Sequence, residues 1–340
     1  MFQTWKRRCA APLLILSLLA GCVARSDSAG RGMAYLAREV PAWWRDHQCF
    51  SCHNNGDGAR ALYVAMQRSR EVVPSALSVT TLWLSRPNVW DENKGDPAFN
   101  DKNLARLQFA TALAAAVRAG QIIDQGARIE AIESLLELQA PGGEFVVEPR
   151  DVLGAPATWG TPLATAMAME SLLTLVPPQR NRPEATDRAQ AWLLKLQPRS
   201  VLDAAAALIG TGGIGQPHRA GQTSPHLDLI RRSRSPDGGW GPYPNAAPEP
   251  FDTAVVLVAL ARIPPTPETL DWIQGARSFL AAVQLDDGSW PETTRPRGAE
   301  SYAQRVSTTA WVTQALLETE NIVKENPAHR LGLNEPANPR

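Results

Sequence analysis

The stretches Asp237-Gly238-Gly239-Trp240 and Asp287-Gly288-Ser289-Trp290 are near copies of one another and decide the fold. A degenerate third copy runs from Gln139 to Phe145, with the same spacing of Gln, Gly and aromatic residue as the stretch from Gln284 to Trp290. In the second copy Arg234 takes the place of the Gln. Self-similar segments of this kind are typical of a repeat architecture.

Each of these turns lies between two helical patterns of different character. The pattern before the last turn has a single apolar stripe at helical spacing, made of Leu270, Ile273, Ala276, Leu280 and Val283. The pattern after the second turn, residues 254–261, is apolar on all sides, as in a helix that is buried all round. Each unit is therefore predicted to be an outer amphipathic helix, a turn and an inner buried helix.

The same pairing of patterns recurs along the chain. Outer helices are predicted at about 31–47, 75–86, 125–139, 184–197, 222–234 and 268–284. Inner helices are predicted at about 58–70, 101–118, 161–175, 199–211, 251–263 and 305–319. Strand patterns are almost absent, and six such hairpins can close a ring. The sequence predicts an all-α fold, an (α/α)6 toroid.

The turns, above all the stretch from Asp237 to Gly241, resemble those of the squalene–hopene cyclase and protein prenyltransferase superfamily. The resemblance covers residues 31–320 and implies the same toroid, followed by a C-terminal tail at 321–340. The catalytic motifs of that superfamily are missing: the sequence has no Asp-x-Asp-Asp, no Asp-rich magnesium motif and no Cys left for a zinc site. Asp252 is expected to cap a helix.

The segment Cys49-Phe50-Ser51-Cys52-His53 matches the C-x-x-C-H pattern by which haem c is attached. Two thiols at this spacing can bond the two vinyl groups of one haem, and His53 then becomes the proximal iron ligand. Met167 is a candidate distal ligand, and an iron without a distal side chain is also possible. A disulfide, a thioredoxin-like pair and half a zinc site are the alternatives.

The position of this motif in the first unit gives a further expectation. Counting from Gln48, Cys52 falls in the slot that Gly143 and Gly288 fill in their own units. The haem motif is therefore expected to replace the first turn, which would put the haem at the rim of the ring on the face that carries the turns.

The N-terminal residues predict export and a lipid anchor. Lys6, Arg7 and Arg8 precede a short apolar run, and the run ends in a tetrad, 19–22, that resembles a bacterial lipobox. Residues 1–21 are predicted to be a signal peptide, with Cys22 lipidated and residues 22–30 as a flexible tether. The protein is then expected to face the periplasm from the outer membrane.

The charge composition of the chain argues against one class of partner. The chain has 340 residues with 34 basic and 34 acidic side chains and no basic stripe, which argues against nucleic acid as a partner. The predicted function is a membrane-anchored haem c protein that serves electron transfer or forms part of an oxidoreductase, with a redox protein as a candidate partner. The alternative is a cyclase-like or prenyltransferase-like enzyme, or a binder of an apolar ligand, that uses the ring cavity. A scaffold for another protein is a third possibility.

Overall fold

The computed structural model describes residues 27–93, 102–150, 152–177, 181, 183–212, 225–293, 295 and 301–324. The predicted signal peptide, Cys22 and the chain beyond residue 324 lie outside these ranges. The α-helices of the described part are α1 Ser28–His47, α2 Ala59–Gln67, α3 Ser78–Leu84, α4 Lys102–Arg118, α5 Gln125–Leu138, α6 Thr161–Leu175, α7 Glu184–Lys195, α8 Val201–Gly212, α9 Pro225–Ser233, α10 Pro250–Leu260, α11 Pro267–Ala282 and α12 Tyr302–Lys324. A π-helix, Cys52–Gly58, leads directly into α2, and short 3-10 helices lie at Pro74–Ala76 and Pro87–Glu92.

The even-numbered helices form a closed inner ring. Helices α2, α4, α6, α8, α10 and α12 each pack against the next, and α12 returns to pack against α2 and the π-helix. The odd-numbered helices lie outside this ring. Among the described residues, β pairing is limited to two isolated bridges, Gln139 with Phe145 and Arg234 with Trp240. The predicted all-α (α/α)6 toroid is therefore confirmed.

Burial explains the different character of inner and outer helices. All residues of α10, from Pro250 to Leu260, are buried, so this helix is enclosed by α8, α11 and α12. Helix α11 buries one face only, and its first turn is held by a capping box between Thr266 and Thr269. No helix in the described part of the chain combines the length and the apolar character needed to cross a membrane.

The repeated turns are each held by a threonine of the inner helix that follows. This threonine begins a second block that recurs in the sequence, at 165–172, 253–260 and 309–316. The backbone N–H of Trp240 donates to the Thr253 hydroxyl at 2.9 Å, and Phe145 and Trp290 donate in the same way to Thr165 and Thr309. The glycine of the last turn, Gly288, has a φ of 93°. The two sequence blocks thus recur together because one hydrogen-bonds to the other.

Each turn also joins two neighbouring outer helices. A Cβ on Gly288 would lie 2.5 Å from the carbonyl oxygen of Arg31 in α1, so only glycine fits at this approach. The side chain of Gln284 donates both to the Gly288 carbonyl and to the carbonyl of Ser28. The last turn therefore closes the outer layer between α11 and α1.

The first unit departs from this pattern, which corrects one expectation. The Gln48 side chain donates to Trp44 and Arg45 in its own helix, and Cys52 begins the π-helix instead of occupying a glycine turn. Cys52 therefore does not hold the position in its unit that Gly143 and Gly288 hold in theirs. An extra helical turn, stabilised by Ser51 accepting from the backbone N–H groups of His53 and Asn54, replaces the repeated turn here.

A candidate site on the axis of the ring

The inner helices run in the same direction, so the ring has two distinct ends. At the end where they begin, Asn54 of the π-helix donates to the Tyr302 hydroxyl of α12 at 2.8 Å. At the other end Arg262, just after α10, pairs with Glu170 of α6 and Glu318 of α12 at 2.7 Å each. We call the first end the mouth and the second the base.

A buried acid, Asp57, lies one turn inside the mouth. Its Oδ2 accepts hydrogen bonds from the Ser307 hydroxyl at 2.8 Å and from the Gln108 amide at 2.9 Å. His53 Nδ1 lies 3.0 Å from the same Ser307 hydroxyl. Because Ser307 donates to Asp57, the Nδ1–H of His53 is the donor to Ser307. Three elements, the π-helix, α4 and α12, thus hold one carboxyl.

The charge of this carboxyl depends on its surroundings. Burial raises the pKa of Asp57 to about 6, although the Arg60 charge and the hydrogen bonds from Ser307 and Gln108 act in the opposite direction. The pKa of His53 is lowered to about 4 by burial, so its imidazole is neutral at pH 7. The axis therefore holds a carboxyl that exchanges its proton near neutral pH.

Arg60 lies next to this acid and fills the centre of the ring. Its guanidinium carbon is 4.1 Å from the ring centroid of Trp311 and 5.3 Å from that of Trp159. One of its nitrogens is 3.4 Å from Asp57 Oδ1, and none of the three has a hydrogen-bond partner. The guanidinium is therefore held by charge and by aromatic faces rather than by hydrogen bonds.

The interior around Arg60 is closely packed. Arg60 is 2% exposed, Trp159 is 1% exposed and Trp311 and Phe251 are fully buried, so solvent scarcely reaches this part of the ring. Trp311 packs edge-on against both Trp159 and Phe251, at centroid distances of 5.7 Å and 5.9 Å. The ring is lined with aromatic side chains, as the cavity of the predicted alternative requires, but a side chain occupies its centre.

An ion pair lies at the mouth. Asp252 is fully buried and accepts from both terminal nitrogens of Arg295, at 2.6 Å and 2.9 Å. Burial raises the pKa of Asp252 to about 6, and the Arg295 charge opposes that rise. The expectation that Asp252 caps a helix is wrong, because Glu249 is the N-cap of α10 and Asp252 lies inside the helix.

The residues predicted to hold haem c lie at the mouth. Cys49 and Cys52 are 6% and 9% exposed, and neither is part of a disulfide. The imidazole of His53 suits ligation, because Nδ1 is engaged by Ser307 and Nε2 would be the ligand atom. The thiols suit it less well, since a porphyrin bonded to two buried sulfur atoms requires neighbouring side chains to move.

The predicted distal ligand lies on an inner helix. Met167 is buried in α6, and α4 packs against both α6 and the π-helix. The role of Met167 as a distal ligand stays a prediction. Within the described ranges no group of three His, Cys, Asp or Glu side chains could hold a metal ion. Cys22 lies outside those ranges.

Sequence reasoning missed Asp57 and Arg60, although a signal for both was present. They lie within a segment, 56–66, in which every other residue is small or largely apolar and which runs from the end of the π-helix through α2. A charged side chain on a helix that is buried on every side must meet a partner inside the protein. Their partners, Ser307 and Trp311, come from the last inner helix, some 250 residues later in the chain.

The geometry defines the fold class, an all-α ring of helical hairpins with polar and aromatic side chains on its axis. Among solved structures the chain is similar to the type II terpene cyclase MstE from Scytonema in its apo form, with 16% identity, a TM-score of 0.53 and coverage of 88% of this chain and 99% of that one. A complex of the MstE cyclase with geranylgeranyl dihydroxybenzoate as substrate gives 17% identity, a TM-score of 0.54 and coverage of 88% and 98%.

A third similar structure is the same cyclase with its product merosterolic acid A, at 15% identity, a TM-score of 0.52 and coverage of 88% and 99%. No protein-family model matches the chain, and no curated protein matches it either. At this level of identity the likeness establishes the fold.

These findings correct the function predicted from the sequence. The main prediction, electron transfer by a haem protein, is wrong, because the similar structures are type II terpene cyclases bound to substrate or product. They favour the alternative prediction, in which the ring itself is the site. The error came from giving a five-residue motif more weight than the repeats that build the whole chain.

Proposed function

We propose that the interior of the ring is the functional site and that the protein acts there on an apolar, isoprenoid-like ligand, with Asp57 as the acid. One observation carries the proposal. A fully buried carboxyl, held by Ser307 and Gln108, lies next to Arg60, and the guanidinium of Arg60 lies over the faces of Trp159 and Trp311. The ligands named for the similar structures are geranylgeranyl dihydroxybenzoate as substrate and merosterolic acid A as product, and a geranylgeranyl chain is of the apolar class that suits such a site.

The chemistry follows from the protonated form of Asp57. An alkene carbon placed against the carboxyl takes its proton: the O–H bond breaks and the π electrons form a C–H bond. Indole faces stabilise the cation left on the neighbouring carbon, and so does the new carboxylate. A second alkene of the ligand attacks this cation, which turns one π bond into a C–C single bond and closes a ring. Loss of a proton to solvent from a carbon next to the new cation gives a cyclic isomer with one C=C bond fewer, and Asp57 regains one proton from solvent.

The hydrogen bonds around Asp57 suit this role. Ser307 and Gln108 both donate to Oδ2, which leaves Oδ1 to carry the proton. Oδ1 faces Arg60, whose charge lowers the pKa of Asp57 and so strengthens the acid, and the Trp159 side chain acts on this pKa in the same direction. Because Arg60 also covers the indole faces, a ligand reaches the acid only when the guanidinium moves aside.

The test is the conversion of a linear polyprenyl substrate by the purified full-length protein. Geranylgeranyl dihydroxybenzoate and squalene serve as probes, and the product is an isomer of unchanged mass with fewer alkene protons. We expect Asp57→Asn to lower the rate about a hundredfold or more, the usual contribution of a general acid. Circular dichroism confirms that the variant is folded.

Asp252→Asn is the matched control, because Asp252 is equally buried and its pKa is also raised to about 6. This variant should retain activity within about tenfold of the wild type, since its carboxyl serves the mouth ion pair. Absence of product with the wild type, or an unchanged rate with Asp57→Asn, would show that Asp57 is not a catalytic acid.

We also propose, on the sequence alone, that Cys49 and Cys52 attach a haem with His53 as its proximal ligand. An attached haem would supply an iron porphyrin at the mouth. The Nδ1–H of His53 would still donate to Ser307, so the hydrogen bonds to Asp57 would be kept. Haem attachment and the acid chemistry of Asp57 do not depend on one another and are tested separately.

The anchor is likewise a proposal. We infer from the lipobox-like tetrad that Cys22 is lipidated and holds the protein to the outer membrane. Fractionation of cells that produce the full chain should place the wild type with membranes. Cys22→Ser should release it or leave the leader uncleaved, and membrane association of a processed Cys22→Ser protein would contradict the anchor.

A further inference from the structure

Arg60 occupies a site that has the properties of a receptor for an organic cation. The guanidinium lies over the face of Trp311, with Trp159 as a second face and Asp57 as the counter-ion. The site is fully buried, and the two indoles meet at 78°, which presents two π-faces to one volume. Aromatic faces with one carboxylate are how proteins bind quaternary ammonium groups.

The way in which Arg60 is held supports this view. A buried guanidinium ordinarily uses its five N–H groups in hydrogen bonds, and an unpaired one is costly. Here all three nitrogens lack hydrogen-bond partners, whereas Arg277, also largely buried, donates to the Leu316 carbonyl and to the Thr319 hydroxyl. The site therefore recognises the charge and the flat shape of Arg60, and not its hydrogen-bond donors.

The charges around the site also favour a cation. Asp57 is the direct counter-ion, and the carboxylates of Glu170 and Glu318 act on Arg60 from the base of the ring. Arg262 pairs with both of these glutamates, so it offsets only part of that negative charge. The charge of Arg118 also acts on Glu318, so Asp57 is the carboxyl that faces Arg60 directly and is paired with no other arginine in the described part of the chain.

We propose that Trp159, Trp311 and Asp57 form a binding site for an organic cation of the quaternary ammonium type, which Arg60 occupies from within the chain. The ligand takes the place of the guanidinium when the Arg60 side chain withdraws. Because Arg60 competes for the site, the wild type binds such a cation weakly. A variant without the Arg60 side chain binds the cation with the full affinity of the site. The inference concerns binding, and it does not require Asp57 to act as an acid.

The test uses the full chain with Arg60→Ala and tetramethylammonium chloride as the probe. Tetramethylammonium has no hydrogen-bond donor, so only charge and aromatic faces can hold it. We expect a saturable rise in Tm and a change in tryptophan fluorescence, with an affinity about tenfold or more above that of the wild type. Sodium chloride at equal ionic strength controls for screening, and tert-butanol controls for the filling of an apolar cavity.

Arg277→Ala is the matched variant, because it also removes a buried arginine but one that donates hydrogen bonds to Leu316 and Thr319. It should show no response to tetramethylammonium beyond that to sodium chloride. If Arg60→Ala does not fold because Asp57 is left unpaired, the double variant R60A/D57N keeps both indoles and removes the unpaired charge. It should still bind the probe, though less tightly than Arg60→Ala would.

Two results would overturn the inference. The first is an equal response of Arg60→Ala, or of the double variant, to tetramethylammonium and to sodium chloride. The second is equal stabilisation by tert-butanol, which would mean that the vacated space is a simple cavity. Neither result bears on alkene conversion by Asp57, so a failure here and a failure of the proposed function are distinguishable.

Discussion

Ser307 donates a 2.8 Å hydrogen bond to Asp57 across 250 positions of sequence, and this contact joins the last inner helix to the first. Arg60 stacks on Trp311 where the same two parts of the ring meet. The closure of the ring and the assembly of the candidate site therefore depend on the same few side chains. A toroid that failed to close would have neither the buried acid nor the aromatic faces.

The repeated turns give the first prediction. Thr253→Val keeps the shape of the side chain but removes the hydroxyl that accepts from Trp240 N–H and donates to its carbonyl. We expect a loss of about 1–3 kcal/mol in the free energy of unfolding, measured by urea denaturation. Thr253→Ser keeps the hydroxyl and should lose less, so equal losses in both variants would contradict this role.

Glycine at position 288 gives the second prediction. Gly288→Ala combines a positive φ with a clash against the Arg31 carbonyl, and it should cost about 3 kcal/mol or more. Gly120→Ala is the control, since Gly120 has a φ of 69° but no atom near its added Cβ. It should cost about 1 kcal/mol, and thermal melts of both variants that coincide would argue against the closure of the outer layer at Gly288.

The buried acid gives a prediction for the dependence of stability on pH. Because the pKa of Asp57 is raised to about 6 from 3.8, the folded state binds more protons than the unfolded state between these values. The contribution of Asp57 to stability is thus present in full below pH 3.8 and falls as the pH rises through the folded-state pKa of about 6. Over that range the loss is about 3 kcal/mol.

Asp57→Asn isolates this effect, since Asp252 titrates in the same window and is present in both proteins. The free energy of unfolding of the wild type should fall relative to that of Asp57→Asn between pH 4 and pH 6.5. Above that range the difference should be constant. A difference that stays constant over the whole range would mean that Asp57 does not titrate there.

Haem attachment is checked by producing the full chain in cells that have the machinery for maturation of haem c. The pyridine haemochrome spectrum and the intact mass should show one haem bonded through both thiols of Cys49 and Cys52. A variant with alanine at both positions should be colourless. A colourless wild type whose mass does not include a haem would contradict the haem prediction. It would not bear on the proposed acid site.

The fold was predictable because its signal is spread over the whole chain. The apolar pattern of 254–261 and the stripe of α11 each give the type and place of a helix, and the glycine turns give the repeat. The first unit was harder to predict. Its turn is replaced by a π-helix that starts at Cys52, and no helical periodicity in the sequence indicates that change.

The site was less predictable because it consists of contacts between distant units. Asp57 and Arg60 stand out as charges on a buried helix, but their partners Ser307 and Trp311 lie on α12. Which side chains of two inner helices meet depends on their rotation in the ring, which sequence spacing alone does not determine. The motif from Cys49 to His53 is local, so the sequence alone displays all of its residues. It nevertheless led to the wrong function.

The most direct test of the central claim is the protonation state of Asp57. Infrared difference spectra of the wild type against Asp57→Asn, recorded across a pH titration, isolate the carbonyl stretch of this one carboxyl. We predict that the band of a protonated carboxyl, present in the wild type only, disappears with a midpoint of about pH 6. A band that is already absent at pH 5 would mean that Asp57 is an ordinary ionised partner of Arg60, and the proposed acid chemistry would then have no acid.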